Sequence, residues 1–321
     1  MKRLHGTWRR CLAPALLGLL LSPPARASCS AIAGSPASFG TVGSFAARTQ
    51  PLATSTVNSG LTCTGAVAGF LILGDQINAV ITSANQGSLA GPGGDTIPYR
   101  IYADPQGNVP LNINTGYNWA TGQLANFLGV FGGPSKALPL YLRTLPANAS
   151  IAAGTYTDTA TIYWQWGYCA GIGVLGACLG RDAGGGRSAF ALTLTVTNDC
   201  LIGASDIDFG AAPTVTSFAP VSGSLSLTCT KGMVFTVGLS GGNFPAPDGR
   251  RQMASGARRL QYDIFGPAGT VWGAGAGRAG SGGPADGISA KSFPYTARIY
   301  ADQPTPPAGT YVDSVIVDVR Y

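Results

Sequence analysis

The sequence predicts an all-β protein made of two immunoglobulin-like β-sandwich domains in tandem. Three observations support this: a composition poor in helix formers, segments that alternate apolar and polar residues, and an internal repeat. Among 321 residues there are 47 Gly and 22 Pro, only 11% of side chains are charged, and every acidic residue is Asp. Because Glu is absent and Lys is rare, two of the main residues of surface helices are nearly missing. Short strands and many turns are therefore expected.

Residues 1–27 read as a secretory signal peptide. Early basic residues precede an apolar stretch over 12–21 and the small-x-small sequence Ala-Arg-Ala at 25–27, which is typical of a cleavage site. Cleavage there leaves 15 basic and 14 acidic residues. This near-neutral balance argues against binding to nucleic acid or anionic membranes, and no membrane span is expected after cleavage. The basic residues expected to lie in a solvated loop, with partner docking as the alternative, are Arg250, Arg251, Arg258 and Arg259.

The only histidine, His5, lies in the signal peptide, as does one of the seven cysteines, Cys11. Without imidazole, the exported chain cannot form a Ser-His-Asp triad, a Cys-His nucleophile pair or a His-ligated metal site. We therefore expect no enzyme activity, no cofactor and no metal. Six cysteines remain, and an even number in an exported chain indicates disulfide bonds.

The two halves of the chain share an ordered set of short motifs. Each half begins with a cysteine followed by Phe-Gly, and then contains Leu-Thr-Cys-Thr, a Tyr-x-Ile-aromatic segment, a tryptophan and an Ala-Gly-Thr-Tyr-x-Asp run. Motifs matching in one order indicate a diverged tandem repeat. The matching segments are Cys29 with Cys200, 39–40 with 209–210, 61–64 with 227–230, 99–102 with 262–265, Trp119 with Trp272, and 153–158 with 308–313.

The repeat also predicts how the six cysteines pair. Equivalent cysteines in equivalent halves are expected to bond within each half, which leaves two cysteines to close a short loop. Each of the two longer loops spans roughly thirty residues, so each bridge could add about 3 kcal/mol by restricting the unfolded chain. The expected bridges are Cys29–Cys63, Cys200–Cys229 and Cys169–Cys178.

Alternation with a period of two residues predicts a strand over 189–197 and another at the C-terminus. Aligning the halves on Ala-Gly-Thr-Tyr places 160–166 opposite 315–321. The first half then continues through a loop over 167–187 and returns as the 189–197 strand, whereas the second half stops. The second half therefore lacks one strand and should expose an apolar groove with an unpaired edge. The apolar positions sharing a face are Phe190, Leu192, Leu194 and Val196 in one strand, and Val315, Val317, Val319 and Tyr321 in the other.

These motifs, together with the run from Pro307 to Asp313 before a terminal tyrosine, resemble spore coat protein U domains. The two-domain layout is similar to tip adhesins of archaic, Csu-type chaperone-usher pili. The resemblance implies a C-terminal domain completed by a strand from another polypeptide. It also implies a periplasmic chaperone, an outer-membrane usher and an adjacent pilin as partners. The expected docking edge consists of Val315, Val317, Val319 and Tyr321.

Cleavage after Ala27 would leave only Ser28 before Cys29, so no free segment would precede the first half. A subunit without such a segment can accept a strand through its second half but cannot donate one. This predicts a place at the distal end of the fibre, after export through the periplasm to the cell surface. The alternative is another cleavage site that leaves a donor segment in place.

Three apolar, glycine-flanked segments of the first half have no counterpart in the second. They could be core, as an extra buried strand for the first and a covering flap for the second. The third is harder to bury, because a disulfide across eight intervening residues would make it a small rigid finger with an apolar tip. The resemblance instead implies hydrophobic fingers at the distal end, which would attach to abiotic or host apolar surfaces. The candidate surface-binding residues are Phe70, Leu71, Ile72, Leu73, Leu124, Phe127, Leu128, Val130, Phe131, Ile172, Val174 and Leu175.

We therefore expect a signal peptide at 1–27, an adhesin domain at 28–198 and an incomplete pilin domain at 199–321. The expected function is attachment to surfaces, as in biofilm formation, by the tip subunit of a pilus. Two alternatives remain open. One is a secreted coat or matrix protein that shares the fold without recognising surfaces. The other is a lectin-like domain that stacks sugars on Trp119, Trp164 and Trp166.

Overall fold

The computed structural model describes residues 28–64, 76–119, 136–146, 150–174 and 177–321. The expected signal peptide lies outside these residues. Strands joined by turns make up most of the regular structure, which confirms the all-β prediction. A short helix, α1, covers Ser44–Thr49.

The first half, residues 28–198, is built from β-strands that mostly pair antiparallel. They are, in chain order, β1 (Ser28–Ala31), β2 (Ala37–Gly43), β3 (Ala53–Thr56), β4 (Leu61–Thr64), β5 (Gln76–Ser83), β6 (Ser88–Ala90), β7 (Thr96–Tyr102), β8 (Pro110–Leu111), β9 (Gly116–Asn118), β10 (Lys136–Ala137), β11 (Leu140–Thr144), β12 (Gly154–Val174) and β13 (Ala177–Thr197).

One large sheet dominates this half and runs in the order β2-β13-β12-β6-β7-β11-β3, with β5, β8 and β9 paired beside this path. A smaller sheet has the order β1-β4-β10. β13 pairs antiparallel with β12 on one side and parallel with β2 on the other. The predicted apolar face of β13 is buried, with exposed fractions of 3% for Phe190, 0% for Leu192 and Leu194, and 2% for Val196.

The second half, residues 199–321, has two smaller sheets. The five-stranded sheet has the order β14-β15-β20-β18-β17 and the three-stranded sheet the order β19-β16-β21. The strands are β14 (Cys200–Gly203), β15 (Val221–Cys229), β16 (Thr236–Leu239), β17 (Arg251–Ser255), β18 (Arg258–Phe265), β19 (Ala279–Gly280), β20 (Lys291–Ile299) and β21 (Val317–Arg320).

Each half has its own hydrophobic core. The buried core residues of the first half lie between Cys29 and Val196. Those of the second half lie between Leu225 and Ala297, with partly buried residues from Cys200 to Val319 around them. Because no core residue is shared, each half is stabilised mainly by its own packing.

Equivalent residues of the predicted repeat form the same hydrogen bond in both halves. The Tyr99 hydroxyl donates to Asp158 at 2.6 Å, and the Tyr262 hydroxyl donates to Asp313 at 2.8 Å. In each half, the Tyr-x-Ile-aromatic segment therefore meets the Ala-Gly-Thr-Tyr-x-Asp run. Burial and the neighbouring carboxylate raise the pKa of both tyrosines well above the usual value, because both disfavour the phenolate.

The predicted bridge between Cys200 and Cys229 is confirmed. These residues are directly opposite each other in β14 and β15. Cys29 and Cys178 each take part in a disulfide bond as well. Cys29 lies directly opposite Cys63 in the pairing of β1 with β4. The other two predicted pairings involve side chains outside the described set and stay predictions.

The loop predicted over 167–187 is wrong, because these residues extend the β12/β13 hairpin. The glycines at 184–186 resemble a loop signal in the sequence, but in the structure they allow close packing within a strand. A Cβ at Gly184 would lie 2.7 Å from the Trp166 ring, and a Cβ at Gly186 would lie 2.5 Å from that of Ala31. The last residue of β12 that pairs with β5 is Gly167. Among the described residues, the hairpin continues beyond that point as a two-stranded ribbon.

The solvated loop expected for the four arginines is also partly wrong. Arg250, Arg258 and Arg259 are at least partly exposed, but Arg251 is buried with 2% of its surface exposed. Its guanidinium lies 2.7 Å from Asp263, whose side chain is equally buried. An internal carboxylate therefore holds this arginine inside the fold, where it also donates to backbone carbonyls.

The contact between the two halves is short and polar. Residues 198–199 alone separate β13 from β14. Lys231 Nζ lies 2.5 Å from Asp95 Oδ1 across the junction. The hydroxyls of Ser44 and Thr230 share a buried hydrogen bond of 2.8 Å.

Candidate strand-docking groove

A groove of about 380 Å³ opens in the second half. It lies between the five-stranded sheet and the chain around β21. Most of the residues that line it are apolar or aromatic, and polar groups share its exposed surface, so water in the groove contacts apolar side chains that a folded core would normally bury. Residues lining it include Ile207, Phe209, Leu225, Ile264, Val315 and Val317.

Two backbone segments border the groove. β21 pairs with β16 along one edge, with Val319 directly opposite Val237. Residues 204–212 run without regular secondary structure and bring Ile207 and Phe209 to the groove. Within the described residues, no strand pairs with the other edge of β21 or with 204–212. Both segments therefore have backbone groups available to a further strand.

The first half shows how such a gap is filled when the chain continues. There, β13 lies between β12 and β2. Leu194 is directly opposite Tyr156 of β12 in antiparallel pairing, and Leu192 is directly opposite Ala37 of β2 in parallel pairing. A single strand thus pairs along both of its edges while its apolar side chains fill the core.

The repeat shows which part of the second half corresponds to the place of β13. Tyr156 of β12 corresponds to Tyr311, which comes shortly before β21, and Phe39 of β2 corresponds to Phe209. The place of β13 therefore corresponds to the space between β21 and residues 204–212. In the second half, that space is the groove.

Tyr156 and Tyr311 differ as this comparison requires. Each hydroxyl donates to the carbonyl four residues earlier, that of Ala152 at 2.8 Å and that of Pro307 at 2.7 Å. Tyr156 is fully buried, and burial raises its pKa to about 12. Tyr311 is half-buried and lines the groove. The two tyrosines share this hydrogen bond and differ in burial: Tyr156 pairs with Leu194 of β13, whereas no described strand pairs with Tyr311.

The predicted docking-edge residues lie beside the groove, but they do not all share one buried face. Val315, Val317 and Val319 pack against the second core, and the first two also line the groove. Tyr321 comes after the end of β21 and is 73% exposed. Strand pairing ends at Arg320. The role of these four residues in docking stays a prediction.

Arg278 ties β21 to the neighbouring strand. Its guanidinium lies 2.5 Å from the Asp318 carboxylate and donates to the carbonyls of Asp318 at 2.9 Å and Thr236 at 2.8 Å. The hydrogen bond from Arg278 holds the pKa of Asp318 below its usual range. The Gly- and Ala-rich sequence around Arg278 predicts only a loop and gives no sign of this contact.

Sequence reasoning also missed the wall that faces the C-terminal strand. Leu225, Met253 and Tyr295 form part of it. A signal was present in β15, where single serines separate Val221, Gly223, Leu225 and Leu227 and so predict one inward face. The repeat alone does not reveal that this face would meet a groove.

The three predicted surface-binding segments lie largely outside the described residues. Residues 65–75, 120–135 and 175–176 are not described. Ile172 and Val174 lie on the β12/β13 ribbon, where their backbones are paired with β13. Whether these segments are exposed or buried stays a prediction.

The tryptophans needed for the lectin-like alternative are buried. Trp119, Trp164 and Trp166 have 3%, 1% and 8% of their surfaces exposed. The indole N–H of Trp164 donates to Ser188 at 2.9 Å, and that of Trp166 donates to Asp182 at 3.1 Å. Stacking of sugars on these rings is therefore wrong as a binding mode for this chain.

Comparison with protein families agrees with the repeat and the sheet arrangement. The model of the Spore Coat Protein U domain matches residues 17–163 and 187–318. The chain belongs to the Spore Coat Protein U domain family. The first range ends inside β12 and the second begins inside β13, so each covers most of one half of the repeat, and the family resemblance is confirmed. The Spore Coat Protein U domain is not an enzyme, in agreement with the expected absence of catalysis.

Among solved structures, this Spore Coat Protein U protein is similar to the CsuC-CsuE chaperone-tip adhesion subunit pre-assembly complex of Acinetobacter baumannii Csu pili. The sequence identity is 24% and the TM-score 0.62, covering 91% of this chain and 100% of that chain. The CupB6 tip adhesin of Pseudomonas aeruginosa matches at 13% identity and a TM-score of 0.29, covering 92% and 94%. CfaE, the adhesive subunit of Escherichia coli CFA/I fimbria, matches at 10% identity and a TM-score of 0.30, covering 90% of this chain and 92% of that chain. Only the first supports a fold comparison.

No curated protein sequence matches this chain. Within its described residues, no helix has the length and apolar character needed to cross a membrane.

Proposed function

We propose that this chain is the tip subunit and adhesin of an archaic chaperone-usher pilus. It would be exported through the periplasm to the cell surface, attach cells to abiotic or host surfaces, and support biofilm formation. Its partners would be a periplasmic chaperone, an outer-membrane usher and an adjacent pilin that donates a strand. The observation that carries the proposal is the open apolar groove of the second half, at the place that β13 fills in the first.

The groove supports strand donation because the first half contains the complementary solution. β13 buries an apolar residue at every second position from Phe190 to Val196. A donated strand with the same alternation would bury comparable side chains, each contributing about 1.5–3 kcal/mol. Its backbone would also pair with the free edges of β21 and of residues 204–212.

An empty groove favours aggregation, because it combines apolar side chains with unpaired strand edges. A chaperone strand is therefore expected to occupy it first, and a pilin strand later. The similarity to a tip subunit solved together with its chaperone supports this order.

In this proposal, the three apolar segments of the first half project from the domain and contact the surface to which the cell attaches. Each apolar side chain that moves from water onto an apolar surface contributes at most about 1.5–3 kcal/mol. A rigid finger loses little conformational entropy on contact, and many pili per cell multiply weak contacts. Such binding needs no receptor pocket.

The groove can be tested with the strand that the chain already contains. The full chain, purified in complex with its chaperone, is mixed with a peptide that copies Ala189–Thr197 and carries flanking lysines for solubility. We expect the peptide to displace the chaperone and to leave the amides of Val317–Arg320 protected from hydrogen exchange. Mass spectrometry of the exchanged protein and size-exclusion chromatography report the two effects.

The matched control is the same peptide with serine in place of Leu192 and Leu194, which keeps the backbone but loses the buried groups. It should leave the chaperone bound. A full chain that stays soluble and monomeric without chaperone or peptide, with Val317–Arg320 already protected, would contradict strand donation.

The family description favours one second candidate, a secreted coat or matrix protein with the same fold. Immunogold labelling of intact cells separates the two functions. A tip subunit gives one label at the end of each fibre, whereas a coat protein labels the cell surface continuously.

A further inference from the structure

Two arginines face each other on the outer side of the large sheet in the first half. Arg100 of β7 is directly opposite Arg143 of β11, and Tyr102 is directly opposite Tyr141 in the same pairing. Because these positions alternate along both strands, the four side chains start from one face of the sheet. Like charges directly opposite each other in a sheet are destabilising.

The equivalent position of the second half carries opposite charges. Asp263 of β18 is directly opposite Arg298 of β20. By the repeat, Arg100 stands where the second half has Asp263. Arg143 corresponds to Arg298, and each lies over an aromatic ring of the neighbouring strand, at 5.6 Å and 5.2 Å from the ring centroid. The second half thus has one acidic and one basic residue at this cross-strand position, with Asp263 buried in its ion pair with Arg251, whereas the first half has two basic residues.

Nothing in the described part of the chain neutralises this pair. Arg143 donates only to the carbonyls of Pro105 and Gln106. Arg100 is exposed and makes no hydrogen bond or ion pair with a described residue. The acidic residue in the adjoining turn, Asp104, is buried and accepts from the backbone of its own loop.

We propose that this face of the first half binds an acidic polysaccharide through Arg100 and Arg143. Arginines on neighbouring strands are suited to carboxylate or sulfate groups, because each guanidinium can hold such a group with paired, charge-assisted hydrogen bonds. The site is an open sheet surface, so it fits an extended polymer with repeated charges better than a small ligand that needs enclosure. The half-buried ring of Tyr141 lies beside the charges and offers an apolar surface to a sugar ring.

The test uses the full chain in its chaperone complex and three polymers with one backbone: dextran, carboxymethyl dextran and dextran sulfate. We expect binding to the two acidic polymers and none to dextran. Affinity should fall as salt rises from about 0.05 M to about 0.5 M, because the charges are exposed to solvent. Biolayer interferometry on immobilised polymer measures both.

The decisive variant is Arg100→Asp, which gives the first half the acidic residue that the second half has at the equivalent position. It should weaken binding at least about tenfold, the loss expected for one charge-assisted contact, while leaving thermal stability unchanged or higher. The matched control is Arg258→Asp, an exposed arginine of the second half with the same charge change, and it should bind as the unchanged chain does.

Equal losses in the two variants would overturn the proposal in favour of diffuse charge attraction, and so would absence of binding by the unchanged chain. Duplex DNA serves as a further probe, and binding to it at least as tight as to dextran sulfate would overturn the assignment to polysaccharide. Attachment to polystyrene should be the same for Arg100→Asp as for the unchanged chain. Failure of this site is therefore distinguishable from failure of the proposed hydrophobic adhesion.

Discussion

At the scale of single residues, the ion pair of Arg251 and Asp263 is the most deeply buried of the ion pairs described within the second half. Each side chain has 2% of its surface exposed, so both charges have lost nearly all of their hydration. The Tyr300 hydroxyl and several backbone carbonyls supply further hydrogen bonds to the pair. Such a pair is costly to break, because removal of one partner leaves the other charge buried and unpaired.

We therefore expect Arg251→Met to destabilise the second half by about 3–5 kcal/mol. Native-state hydrogen exchange of the β18 amides in the chaperone complex measures the change. The neighbouring pair of Arg250 and Asp302 is the control, since its side chains are 28% and 61% exposed. Arg250→Met should have a much smaller effect, because solvent screens this exposed pair. Equal effects of the two substitutions would show that burial of the Arg251 pair does not matter.

Sequence alone treats neighbouring arginines alike, because nothing in Arg250-Arg251 tells which side chain points inward. The hydrogen bonds from tyrosine to aspartate were easier to anticipate from the sequence. The two motifs that contain these residues each occur twice, and this recurrence predicts a structure shared by the two halves. The arginine pair of the first half could not be found in this way, since strand register decides which residues face each other.

At the scale of elements, β21 depends on charge for part of its attachment. The side-chain hydrogen bond from Arg278 lowers the pKa of Asp318 in the folded chain, relative to the ordinary value of 3.8. A carboxylate with a lowered folded-state pKa stabilises the fold above its unfolded-state pKa. That contribution is lost as the pH falls through the folded-state value.

We accordingly expect Asp318→Asn to accelerate hydrogen exchange at Val317–Arg320 at pH 7. The difference from the unchanged chain should begin to shrink as the pH falls below the unfolded-state pKa, and it should vanish once the pH is below the lowered pKa of the native carboxylate. Mass spectrometry of the chaperone complex at several pH values gives this comparison. Asp248→Asn, at a side chain that is 54% exposed, should behave as the unchanged chain at every pH. A difference that does not shrink as the pH falls would rule out the charge explanation.

Element boundaries were predictable only where alternation was clean. The apolar face of 189–197 was recognised because four large residues are spaced by two. The start of the same strand at Ala177 was missed, because its glycines carry no pattern of their own. Their spacing matters only once Trp166 and Ala31 lie against them. Close packing of this kind depends on residues far away in the sequence.

At the scale of the whole molecule, two separate cores are joined by a polar junction. The repeat predicted both sandwiches and the missing strand of the second. It could not predict the ion pair between Asp95 and Lys231, because neither residue belongs to a repeated motif. The three apolar segments proposed to bind surfaces are recognisable in the sequence only because the second half lacks them. That difference alone does not distinguish an exposed loop from a buried core strand.

The finger hypothesis is best tested on whole cells. We expect the triple change Ile172→Ser, Val174→Ser and Leu175→Ser to reduce attachment to polystyrene, because apolar contact area at the distal end is lost. Piliation, counted by electron microscopy, should remain. The matched control replaces three exposed apolar residues of the second half by serine. These are Leu201, Val234 and Ile288, which are 57%, 61% and 64% exposed. Unchanged attachment by well-piliated cells carrying the first triple would refute the assignment.

The orientation of the groove has a mechanical consequence. A strand lying between β21 and residues 204–212 would run lengthwise along both neighbours, as β13 does between β12 and β2. A pull along such a strand loads its backbone hydrogen bonds in shear, so that many must yield together. A peeling force would break them one after another. A strand docked in the groove of the second half would therefore also be suited to bearing tension along its length.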